Sequence, residues 1–165
     1  MMIKVLVSAC LLGEKVRYNG ASASTDSSIF AQWLNDGRVV PFCPEVAGGL
    51  GVPRPAAEIS GTGGEAVLDG RASVMTARRT DVTENFLRGA QLALAAARSQ
   101  NVGVAILKDG SPSCGSGSIY DGTFSGQKRT GHGVTTALLE RHGIRVFSEL
   151  RVPEAAEYLR TLEER

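Results

Sequence analysis

The stretch Thr83-Glu84-Asn85-Phe86-Leu87-Arg88-Gly89-Ala90-Gln91-Leu92-Ala93-Leu94-Ala95-Ala96-Ala97-Arg98-Ser99, followed after Gln100-Asn101 by Val102-Gly103-Val104-Ala105-Ile106-Leu107, shows the repeating unit of the fold. Phe86, Leu87, Ala90, Leu94 and Ala97 recur at i, i+3 and i+4 spacing, which predicts one buried stripe on a helix capped by Thr83. The run after it is rich in β-branched residues and reads as a strand. Three further runs of this kind stand at residues 3–8, 39–42 and 144–147, each leading into a loop and then a helical pattern. That alternation predicts an α/β fold: a single Rossmann-like domain with a mainly parallel sheet flanked by helices.

Outward from this frame, a first helix is expected from Thr25 or Asp26 to Asn35, burying Ile29, Phe30, Trp33 and Leu34 and ending at Gly37. Another is expected from Val134 to Arg141, stopping at Gly143, and Pro153 opens a polar helix running to Glu163. Residues 47–70 form a Gly/Pro-rich insertion, read as an ordered loop followed by a hairpin through residues 66–68 and 72–75. A second glycine-rich segment covers residues 109–133. Loops of this length inside a small domain are usually functional. Residues 1–150 are assigned to the α/β domain and residues 151–165 to a helical extension packed on it.

The 165 residues are enough for one core. With 18 basic against 17 acidic side chains and 5% aromatics, neither a polyelectrolyte partner nor a stacking platform is indicated. Composition thus favours a small-molecule substrate over nucleic acid, a tRNA-derived substrate staying open. Lys4 interrupts an apolar opening that ends by Val7, too short for a signal peptide, and no run approaches a membrane span. The expectation is a cytoplasmic chain, with no membrane partner, whose thiols stay reduced.

Cys10, Cys43 and Cys114 are 33 and 71 positions apart, so no CxxC motif exists. Their placement is more informative. Cys10 follows the first strand, Cys43 closes the second, and Cys114 lies shortly after the third. Carboxyl ends of parallel strands face one crevice, where ligands bind. The three can therefore meet there, although small buried hydrophobes are an equal reading of such cysteines. Structural zinc would need a fourth ligand, and only His132 and His142 are available. His142 sits at a helix end, a position that suits a dipole partner. A [4Fe–4S] cluster on three thiolates would leave one iron open as a Lewis acid.

Around these cysteines, Glu45 stands two residues after Cys43, on the same side of an extended chain, where a carboxylate can move protons. Ser8, Ser111 and Ser113 are candidates for positioning water or substrate. Arg17, Arg54 and Lys108 are candidate contacts to an anionic or carbonyl group. The glycines of residues 120–126 and 131–133, with the helix N-terminus at Val134, suggest a backbone nest favouring phosphate.

Taken together, Ser8-Ala9-Cys10-Leu11-Leu12-Gly13, Arg17-Tyr18-Asn19-Gly20, Cys43-Pro44-Glu45-Val46-Ala47-Gly48-Gly49-Leu50, Pro53-Arg54-Pro55-Ala56-Ala57-Glu58-Ile59, Ser111-Pro112-Ser113-Cys114-Gly115 and Tyr120-Asp121-Gly122-Thr123-Phe124-Ser125-Gly126 resemble the thiouracil desulfurase family over nearly the whole chain. That resemblance implies a [4Fe–4S] cluster on Cys10, Cys43 and Cys114. It also implies catalytic roles for Glu45 and Ser111, and non-redox desulfuration of a thiolated uracil, a small-molecule thiolated pyrimidine, to uracil and hydrogen sulfide. Ser8, Arg17, Lys108 and Ser113 are then the expected substrate contacts. Two other classes compete: a cluster-bearing sensor without turnover, and a hydrolase with a nucleophilic cysteine and His132 as its base.

Overall fold

The computed structural model describes residues 2–13 and 28–165. Strand β1 (Lys4–Ser8) runs into a 3-10 turn, Ala9–Leu12. Helix α1 (Ser28–Asn35), β2 (Val39–Phe42) and α2 (Pro44–Ala47) follow. The insertion contains β3 (Ala57–Ser60), α3 (Gly64–Leu68) and β4 (Ser73–Thr76). Then come α4 (Thr83–Ser99), β5 (Val102–Leu107), β6 (Ser118–Tyr120) and β7 (Lys128–Thr130). Helix α5 (Val134–Arg141), β8 (Arg145–Ser148) and α6 (Val152–Glu163) complete the chain.

The four strands expected from sequence form one sheet in the order β2-β1-β5-β8, every neighbouring pair parallel. Side chains alternate across it. Val5, Val7, Val104 and Ile106 meet Phe30 and Trp33 of α1 and Ala155 and Leu159 of α6 on one face. Leu6, Ala105 and Leu107 meet Ala93, Leu94 and Ala97 of α4 and Leu139 of α5 on the other. The winding reverses at β1: the chain steps to β2 on one side and then crosses to β5 on the other. Such a switch point opens a crevice beyond the carboxyl ends of the strands. A third apolar cluster joins Ile59, Val67 and Val74 of the insertion to Phe86 and Ala90 of α4 and to Val134. The insertion is thereby fixed beside that crevice. Among the described residues, no helix is long and apolar enough to cross a membrane.

Several local expectations are corrected. Residues 66–68 are helical, and the strand paired antiparallel with β4 is β3. Glu65, Ala66 and Leu68 are good helix formers, and the turn they make packs Val67 against the cluster of Val74 and Phe86. Leu34 is 54% exposed, because Phe30 and Trp33 already fill the contact of α1 with the sheet. Thr83 does not cap α4. Its hydroxyl accepts from Val74 N at 2.9 Å, while Asp81 Oδ1 accepts from Thr83 N at 2.9 Å. The Thr25 or Asp26 cap lies outside the described residues.

Candidate functional site

Beyond the carboxyl ends of β1, β2 and β5 lies a cavity of about 280 Å³, lined by all three cysteines together with Ser8, Glu45, Arg54, Glu58, Lys108, Ser111 and Ser113. Its size is near the lower end of small-molecule sites, roughly 300–1,000 Å³.

Each cysteine is placed by a different local device. Cys10 stands in the 3-10 turn closing β1 and is 7% exposed. Cys43 is the N-cap residue of α2, with Pro44 at the first helical position. A Cβ on Gly89 of α4 would lie 2.0 Å from Pro44 O, so α2 packs backbone to backbone on α4, and Asn85 Nδ2 donates to Gly48 O at 2.9 Å. Cys114 follows β5 in a turn that the start of α5 clamps. Val134 N donates to Pro112 O at 2.8 Å, Thr135 N to Ser113 O at 2.9 Å, and Thr136 Oγ1 to Cys114 O at 2.9 Å. A Cβ on Gly133 would meet Ser113 C at 2.4 Å, so only glycine lets the two segments approach this closely. The expected phosphate nest at Val134 is therefore corrected: loop carbonyls take these amides.

Glu45 shares the cavity for a reason other than the expected extended chain. It lies in the first turn of α2. Arg54 Nε donates to its Oε1 at 3.1 Å, and Ser113 Oγ donates to its Oε2 at 2.8 Å. Ser111 Oγ accepts from Cys114 N at 2.7 Å and from Ser113 N at 3.2 Å. With both lone pairs taken, its proton points to Ser113 Oγ, 3.0 Å away. The hydroxyls thus run in one direction, Ser111 to Ser113 to Glu45.

Among the described residues, the candidate substrate contacts Ser8, Ser113 and Lys108 have protein partners. Ser8, 3% exposed, accepts from Lys108 N at 2.9 Å and lies 3.7 Å from Cys114 Sγ. Ser113 is 1% exposed, with its hydroxyl 3.5 Å from the same sulfur. Both are better placed to hold Cys114 and Glu45 than to face a substrate. Lys108 Nζ pairs with Glu149 Oε2 at 2.8 Å. Arg17 lies outside the described residues. His132 does not line the cavity; its Nδ1 is 2.6 Å from Glu65 Oε2, so the histidine on which the cysteine-hydrolase reading relied stands away from this site.

Sequence reading passed over Asp109, whose Oδ1 accepts from the amides of Ser116, Gly117 and Ser118, each at 3.1 Å. Burial pushes this carboxyl up, but those amides outweigh it and hold the group below the usual carboxylate range. The signal was the Asp109-Gly110 turn pair at the end of a strand.

Burial pushes the Cys114 thiol up to about 12, with Ser113 and Ser8 only partly opposing it. Burial also raises Cys43, against the amide of Val46. No disulfide joins the three. Among the described residues, no three His, Cys, Asp or Glu side chains are grouped so as to hold a single metal ion.

The family model for 2-thiouracil desulfurase matches residues 5–151. The chain belongs to that family. A solved structure of a [4Fe–4S]-dependent thiouracil desulfidase, TudS, is 50% identical, superposes with a TM-score of 0.88, and is matched over 96% of this chain and 99% of that one. An uncharacterized protein of Bacillus subtilis (strain 168), YbbK, is 50% identical over 145 residues, 88% of this chain and 95% of that protein. The family match spans every residue lining the cavity, from Ser8 to Lys128. In this desulfurase, therefore, the three thiols, Glu45 and the serine chain belong to one matched unit.

Proposed function

We propose that this chain is a desulfurase that replaces the sulfur of a thiolated uracil with oxygen from water, using a [4Fe–4S] cluster on Cys10, Cys43 and Cys114. The observation that carries the reading is the meeting of three thiols from three adjacent strand ends in one cavity with an ion-paired carboxylate. The donor set fits the group: all sulfur, three in number, and lining one cavity. Bound there, the cluster supplies an iron without a protein ligand, a Lewis acid for the thiocarbonyl sulfur.

The protein's own residues supply the rest. Arg54 and Ser113 each fix one oxygen of Glu45, leaving the other lone pairs of the carboxylate for a water. Glu45 takes a proton from that water as its oxygen adds to the thiocarbonyl carbon, and passes the proton on to the departing sulfur. Water gives its oxygen to carbon and both hydrogens to hydrogen sulfide, so no electron is gained or lost. Ser111 tightens the Cys114 turn and orients Ser113. The small cavity supports a free small-molecule substrate, and three cysteines without a disulfide, two of them buried and one half-buried, support a reducing compartment such as the cytoplasm.

Anaerobically prepared protein is expected to carry about four irons per chain and to release sulfide from 2-thiouracil or 4-thiouracil. Full iron with no sulfide from either substrate would make the chain a sensor rather than an enzyme. Assembly should also depend on pH. Coordination displaces thiol protons that burial holds on Cys43 and Cys114, so loading strengthens as pH rises toward the thiol range, by about tenfold per unit for each proton released. Iron retained after anaerobic reconstitution at pH 6 and pH 8 measures this, and equal loading with no proton release would contradict it.

A further inference from the structure

Glu58 is 8% exposed, lines the cavity, and has one oxygen whose partners explain only half of its carboxylate. Oε1 accepts from Gly122 N at 2.9 Å and from Phe124 N at 3.2 Å, which ties the tip of the β6–β7 hairpin to β3. Among the described residues, Oε2 has no hydrogen-bond partner, and it is not among the sealed polar atoms, of which Thr135 Oγ1 is the one without a partner. Two amide donors fix the carboxylate plane through Oε1. Oε2 is left as an unsealed acceptor without a partner on a side chain that lines the cavity.

We infer that Glu58 is a specificity-determining residue whose Oε2 accepts the imide N–H of a thiolated uracil, an inference that rests on the desulfurase reading. The imide nitrogen of uracil lies between the ring's two carbonyl carbons. It therefore neighbours the carbon–sulfur bond whichever of them carries the sulfur. The equivalent nitrogen of a cytosine has no hydrogen and is itself an acceptor. An acceptor on the protein selects thiolated uracils and rejects thiolated cytosines, because two acceptors facing each other leave a buried group unsatisfied.

Glu58→Gln tests this cleanly. The hairpin amides are donors and demand an oxygen, so the amide oxygen takes the place of Oε1 and the NH₂ faces the cavity. The hairpin stays docked while the polarity toward substrate reverses. With iron content unchanged, kcat/KM for 2-thiouracil should fall about 10- to 100-fold, and 2-thiocytosine should gain relative to it. Independently of any variant, the wild-type enzyme should lose a similar factor on 2-thiouracil methylated at the imide nitrogen. A Glu58→Gln enzyme with full iron, a 2-thiouracil rate within twofold of wild type and no gain of thiocytosine would overturn the inference, as would equal turnover of the methylated substrate. Absence of sulfide from every thiouracil with iron-loaded wild type would instead overturn the desulfurase reading itself.

Discussion

Alanine in place of Cys114 is expected to reduce iron from about four per chain to less than one and to abolish sulfide release, because two thiolates hold a cubane poorly. The fold should persist. Most of what holds this turn is backbone: α5 donates to the carbonyls of Pro112 and Ser113, and Ser111 caps the amides of Ser113 and Cys114. None of these bonds uses the sulfur. Losing one buried sulfur should cost about 1 kcal/mol, the usual size of a single truncation. Circular dichroism and thermal unfolding of the cluster-free proteins would separate this from collapse. The same loss is expected for Cys10→Ala and Cys43→Ala. Retention of full iron by any one variant would remove that cysteine from the ligand set.

The site was legible in sequence where chemistry follows chain position, and less so where it depends on packing. Cys10, Cys43 and Cys114 follow strands, and parallel strands send their carboxyl ends to one crevice, so their meeting followed from topology. The hydrophobic periods that place α4 and β5 were equally plain. Glu45 was reached through an extended chain, whereas it stands on a helical turn that exists because Gly48 and Gly89 let α2 approach α4. Ser8 and Ser113 carry the same hydroxyl whether they face substrate or sulfur, and only their burial tells which. Glu58, within a quoted motif, drew no separate reading, because a carboxylate in a strand is usually solvated and its amide partners lie over 60 positions away. The phosphate nest failed for a related reason. A helix N-terminus attracts acceptors in general, and here the nearest acceptors are the carbonyls of the cysteine loop.

Glu45→Gln is expected to leave iron content intact while lowering turnover by roughly 10²–10⁴-fold, the usual contribution of a positioned general base. Glutamine is the right replacement because the surroundings can accept it. Arg54 can only donate, so the amide oxygen must face Arg54 Nε, which leaves the NH₂ facing Ser113. Ser113 can then turn its proton toward Cys114 Sγ, already 3.5 Å away, and accept from the amide. No buried group is stranded. Alanine would be a poorer test, because it would leave the Arg54 side chain, 7% exposed, without its carboxylate. What glutamine lacks is an oxygen basic enough to take a proton from water. The loss should therefore appear in kcat with KM little changed, as expected of an interaction confined to the transition state. Sulfide release and iron should be measured on the same preparation. Wild-type turnover at full iron would reduce Glu45 to the partner of a structural ion pair. Loss of iron would show instead that the Glu45–Ser113 bond serves to hold Cys114.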